Sequence, residues 1–178
     1  MHPDAIRFDV APSSQDDYPL LPEDQTNSYM VYPSFERLNQ SSEVVFRGTI
    51  VEDLGSTELS FDEGFRYPIL FEMERYRVRV DDVIRGVMET EVIVERNAMY
   101  SPSSPELKEG TSLIFFAYQN TRDMYVPQGD FGYYYVAEDN RVYPTRVNDQ
   151  TRSYSGMSLL AFKKEVRTYQ YNTLLHAD

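Results

Sequence analysis

The chain of 178 residues has no cysteine, no tryptophan and only two histidines. Without cysteine there is no disulfide, no thiol nucleophile, no iron–sulfur cluster and no cysteine-ligated zinc. The absence leaves the compartment open, because a chain of this length buries enough surface to fold without crosslinks wherever it works. The two histidines, His2 and His176, stand at the ends, where chains are seldom tied down. A Ser-His-Asp site or a histidine-held metal is therefore disfavoured. No apolar run approaches the roughly 20 residues of a membrane-spanning helix. Met1-His2-Pro3-Asp4 lacks a basic stretch followed by an apolar one, so no signal peptide is expected within the chain. The expectation is that any leader or lipid anchor stood upstream and was removed. Positive charge is also scarce: 17 Lys and Arg face 29 Asp and Glu, a formal net charge of −12. A field of that sign repels phosphate backbones and anionic lipid, and it favours solubility.

What is present is a series of strand-like phrases. Residues 1–31 are polar and acidic with scattered prolines, and they read as an extended arm or linker. Residues 32–172 read as the folded domain and 173–178 as a tail. Ser34 is placed to cap a short helix carrying Phe35 and Leu38. Val44 to Glu52 is the first strand, with Gly48 at a bend or a close approach. Leu54 to Pro68 reads as a long loop. Phe71 to Val83 alternates most cleanly, Tyr76, Val78 and Val80 on one face and Arg75, Arg77 and Arg79 on the other. Glu91 to Glu95 follows, then Leu113 to Tyr118, which is apolar on both faces and so the most buried strand. Tyr125-Val126, Tyr133 to Val136 and Val142-Tyr143 are further strands. A last helix is capped by Ser158 and carries Leu159, Phe162, Val166 and Tyr169 along one side. Together these phrases predict a mainly β fold: a five-stranded OB-type barrel with an added hairpin, a short N-terminal helix and a C-terminal helix. Val44, Phe46, Ile50, Val78, Val80, Val92, Val94 and Leu113 are expected to share one core.

The order of phrases resembles the netrin-like domain, the barrel shared with tissue inhibitors of metalloproteases. The motif positions are Val44 to Val51, Val80 to Gly86 and Gly110 to Ala117. Gly129 to Tyr143 and Ser158 to Phe162 fit the glycine-rich hairpin and closing helix of the cysteine-free versions in bacterial surface proteins. The likeness runs over roughly residues 30–170. It implies an OB-type barrel, outside the cytoplasm or on the cell surface, that binds something. The cysteine with which the animal inhibitors meet a protease zinc has no counterpart here, so that mechanism is not carried over.

Two clusters are candidates for binding. Arg75, Arg77 and Arg79 form a basic stripe, and Tyr125, Tyr133, Tyr135 and Tyr143 an aromatic one. Barrels that hold single-stranded nucleic acid combine such stripes with stacking rings. The plainer account pairs the arginines with Glu91 and Glu95 across the ladder and puts the tyrosines in the core. Carboxylate chemistry has Asp62-Glu63 and Asp81-Asp82 as candidates, but sequence neighbours on a strand face opposite ways. No catalytic residue, metal site or cofactor is expected; a calcium ion assembled from scattered loops stays as a minor alternative. The expected role is a non-enzymatic binding or interaction module for a protein, peptide or glycan, acting through loops or a tyrosine-rich face. An inhibitor or regulator of an enzyme comes second, a single-stranded nucleic-acid barrel third and a hydrolase fourth. The acidic charge argues against nucleic acid as a partner.

Overall fold

In the computed structural model, residues 34–61, 67–99, 104–145 and 154–172 are described. Ser34 has extended backbone and its Oγ accepts from the Arg37 N–H at 3.1 Å, which starts helix α1 (Phe35–Ser41). The strands that follow are β1 (Val44–Phe61), β2 (Ile69–Arg85), β3 (Glu91–Asn97), β4 (Ser112–Gln119), β5 (Tyr125–Pro127), β6 (Tyr133–Val136), β7 (Arg141–Pro144) and β8 (Met157–Ser158). Helix α2 (Leu159–Val166) closes the described chain, and Ser158 Oγ accepts from the Ala161 N–H. The expected arm 1–31 and tail 173–178 lie outside the described residues. No helix among the described residues is long and apolar enough to cross a membrane.

Strand order in the sheet is β1-β2-β3-β5-β4-β6-β7-β8, and β1 also pairs with β4. Alternation then produces two cores. Val44, Phe46, Ile50, Val78, Val92, Val94 and Leu113 point into the first, with Tyr133, Tyr135 and Tyr143, and Val80 packs against it. The set of core residues read from alternation is thus found together. Val45, Ile114, Phe116, Tyr134 and Val142 leave the opposite face of the same strands and meet Phe35, Leu38, Phe162 and Val166 from the two helices. This is why β4 and β6 are apolar on both faces. One face looks into the curled sheet and the other is covered by helices. Each large side chain so buried contributes roughly 1.5–3 kcal/mol.

The expected barrel is not formed. Pairings run from β1 through β2, β3, β5 and β4 back to β1, but the sheet does not close into a barrel. The join between β3 and β5 is a single parallel bridge, Val94 with Tyr125, and β5 has only three residues. One bridge cannot carry the continuous tilt and stagger that barrel closure needs. The OB-type fold and the netrin-like identity built on it are therefore set aside. The extracytoplasmic location that followed from the resemblance loses that support.

A second correction concerns residues 54–68. Where a loop was expected, β1 runs on to Phe61 and pairs with β2 from Ser56↔Glu74 to Phe61↔Ile69. Register shifts between Ile50 and Glu52 and between Asp53 and Ser56 interrupt the ladder, and Gly55 takes φ +77° at the second. A bulge supplies the extra residues and bends the strand without ending it. Gly48 answers a different need. A Cβ there would lie 2.5 Å from Val78 Cγ1 and 3.0 Å from the Arg79 carbonyl oxygen, so β1 and β2 approach too closely for a side chain.

Candidate functional site

The outer part of the β1–β2 ribbon has two unlike faces. Thr57 lies opposite Met73, and Leu59 opposite Phe71; on the other side Glu58 lies opposite Glu72. Like charges placed directly across a ladder destabilise it, and the Ser56 hydroxyl donates to Glu72 Oε1 at 2.7 Å on that side. Leu59, Phe71 and Met73 belong to neither core. Instead they line a half-open cavity of about 780 Å³. Its remaining walls come from the end of β3 with Glu95 and Arg96, the β4–β5 turn with Asn120 and Arg122, and Tyr118, Val126 and Tyr133.

The polar part of this wall is a preformed network. Glu95 is fully buried. Its Oε2 accepts from Arg75 Nε at 2.9 Å, and its Oε1 accepts from Asn120 Nδ2 at 3.2 Å and from Arg122 Nη2. Arg96 donates from Nε to Glu74 at 2.7 Å and from Nη1 to the Pro105 carbonyl at 2.8 Å, and its guanidinium lies 5.6 Å over the Tyr76 ring. The Tyr76 hydroxyl donates to the same Glu74 oxygen at 3.1 Å. Burial pushes the Tyr133 phenol above its usual range, and Arg96 opposes that shift. Tyr76 is raised as well, again chiefly by burial. These buried charges are paired and bonded, as low-dielectric surroundings require.

The tyrosine cluster is not an exposed stripe. Tyr133, Tyr135, Tyr143 and Tyr125 are all buried in the first core, and of the four only Tyr133 lines the cavity. The arginines do pair. Arg75 meets Glu95, Arg77 meets Glu52 at 3.2 Å and Glu91 at 3.7 Å, and Arg79 meets Asp81 on its own strand at 2.9 Å. Asp81 also accepts from the Thr49 hydroxyl, while Asp82 turns to Lys163. Those neighbouring carboxylates thus face apart. Asp62-Glu63, His2 and His176 lie outside the described residues. Among the described residues no group of three or more His, Asp or Glu is placed to hold a metal ion.

A smaller hollow of about 470 Å³ is lined by Arg77, Glu89, Glu91, Val92, Ile93, Gln119, Asp123 and Tyr125. Both hollows draw their walls from the region around the single β3–β5 bridge, where the ring of strands is thinnest. The residues of the larger cavity went unnoticed in the sequence because Leu59 falls in a stretch that reads as a loop, which leaves Phe71 and Met73 of the next strand without a visible partner. The alternation of Leu59, Phe71 and Met73 with Glu58, Glu72 and Glu74 is the signal that points to it. No protein-family model matches this chain, and no curated protein matches it.

Proposed function

We propose that this protein is a non-enzymatic binding module that takes an extended peptide segment of a protein partner into the cleft beside the β1–β2 ribbon. The observation that carries this reading is the placement of Leu59, Phe71 and Met73 around a 780 Å³ cavity while they serve neither core. Its volume falls within the range of about 300–1,000 Å³ usual for ligand sites, and a mainly apolar wall with a few fixed polar groups is their usual make-up. A peptide is favoured because the ribbon offers backbone as well as side chains. In the described pairings, β1 from Glu52 to Phe61 pairs with β2 alone, and β2 from Ile69 to Glu72 pairs with β1 alone. The outer edge of such a ribbon can add an extended segment by main-chain hydrogen bonds, with alternate side chains seated in pockets. The divergence of Asp81 and Asp82 supports a non-enzymatic role.

The test is a displayed peptide library panned against the full chain and against Val126→Trp, which fills the cleft. Peptides should bind the first and be lost from the second, with melting curves showing both folded. A library without binders, or binders indifferent to the filled cleft, overturns the reading.

A further inference from the structure

We infer that the segment held in the cleft carries an acidic side chain beside its apolar residue, and that Arg122 receives it; this rests on the peptide-binding reading above. Of the charged groups lining the cavity, two are guanidiniums, Arg96 and Arg122, and one is a carboxylate, Glu95. The two arginines are not equivalent. Arg96 has a side chain only 7% exposed and is engaged by Glu74 and by the Pro105 carbonyl, and it bonds the Tyr133 phenol as well. Arg122 is 35% exposed and gives one Nη2 bond to Glu95. Its Nε and Nη1 meet no acceptor among the described residues.

A guanidinium has five donors in a planar fork. Arg122 can therefore keep Glu95 on one side and offer another edge to a ligand carboxylate, the geometry that makes arginine the usual carboxylate receptor. The side chain is also held ready. Asn120 Oδ1 accepts from the Arg122 N–H at 2.9 Å and the Met124 N–H at 3.1 Å, which sets the turn. Glu95 keeps Arg75 and Asn120 whatever Arg122 does, so a ligand does not have to displace a buried pair. Because Arg122 lies at the exposed side of a half-open cavity, the chain carrying the carboxylate can run on past it, which fits an Asp or Glu side chain better than a chain end. The net charge of −12 acts against an acidic segment at a distance. At physiological salt, screening limits it to about 8 Å, so it slows approach more than it weakens the contact.

The experiment titrates the full chain, by NMR at physiological salt, with peptide pools that share a central apolar pair followed by Glu or by Gln. All are blocked at both ends, except one Gln pool with a free C-terminus. The Glu pool should bind about tenfold more tightly than the blocked Gln pool, one charge-assisted contact's worth. Arg122→Gln should bring Glu binding down to the Gln level, and Arg122→Lys should keep part of the preference. The lysine variant serves if the glutamine variant fails to fold. Equal affinity of Glu and blocked Gln pools overturns the acidic assignment and leaves the cleft reading standing. A preference for the free C-terminus over the Glu pool overturns the side-chain assignment. Failure of every pool, or binding that Val126→Trp does not disturb, overturns both.

Discussion

Nη2 of Arg85 donates to the backbone carbonyl of Asn39 at 2.7 Å, and through that contact a strand residue reaches the end of a helix. The same guanidinium donates to the Ser42 carbonyl at 2.6 Å, to Val166 at 3.4 Å and to Tyr169 at 3.3 Å. The Asn39, Ser42 and Val166 carbonyls stand at the C-terminal ends of α1 and α2 and the Tyr169 carbonyl just beyond, where helices carry partial negative charge and the last carbonyls can accept further hydrogen bonds. Burial lowers the pKa of Arg85, yet an arginine stays charged in a protein. Arg85→Lys should therefore destabilise the protein by about 2 kcal/mol, since hydrogen bonds to charged groups contribute about 1.5–3 kcal/mol and one ammonium cannot reach both helices. Urea unfolding measures it. A loss no larger than that of a surface exchange would remove Arg85 as the tie between the helices.

Phe162 is fully buried, with its ring 5.6 Å from Phe35, 5.2 Å from Tyr134 and 6.1 Å from Phe116. Replacing it with Ala should cost about 3–5 kcal/mol, a large share of a domain's stability. Thermal melts report the result. An unchanged melting temperature would mean that α2 is not held by this face.

The arginine row should divide sharply by depth. Arg77→Glu removes pairs whose partners are half exposed, and exposed pairs contribute about 0–1 kcal/mol. Arg75→Met deprives a fully buried Glu95 of one of its partners and should cost about 3 kcal/mol, in the range seen when a buried pair is broken. Denaturant midpoints of the two variants compare them directly. Neither variant nor the wild type should bind a single-stranded oligonucleotide in fluorescence anisotropy.

Alkaline pH should unfold the protein through its tyrosines. Burial raises the phenols of Tyr76, Tyr133, Tyr134 and Tyr135 above the ordinary value of 10.0. The fold thus prefers the neutral form. Its contribution is whole below pH 10 and is lost as pH climbs past it, because the unfolded chain then releases protons that the folded chain retains. Absorbance of tyrosinate should rise in two steps, the exposed phenols first and the buried ones together with the loss of far-ultraviolet dichroism. Ionisation of all phenols near pH 10 with the dichroism intact would contradict it.

Alternation made most of the elements legible. Period-two patterns located β2 and β3, a short run apolar on both faces located β4, and Ser34 and Ser158 marked both helix starts, because each of these signals is local. Closure was not legible. Whether β3 and β5 share one bridge or many depends on residues some thirty positions apart and on the brevity of β5, which no local pattern records. The tyrosine run shows a related limit. Tyr133-Tyr134-Tyr135 alternates correctly, but the Tyr133/Tyr135 face reads as buried only once the sheet is known to curl over it, and the Tyr134 face only once α1 and α2 are known to cover it. The cleft escaped notice because Gly55 and the acidic residues after it carry turn chemistry in the sequence, while the bulge at Gly55 keeps the strand going.

The separation of the cleft from both cores has an evolutionary consequence. Leu59, Phe71, Met73 and Val126 are absent from the side chains that hold the helices to the sheet or fill its curl. Large losses of stability come mostly from fully buried positions, and these four are only half-buried. Drift at the ribbon can change the shape of what is recognised while the scaffold beneath it stays under its own, separate selection.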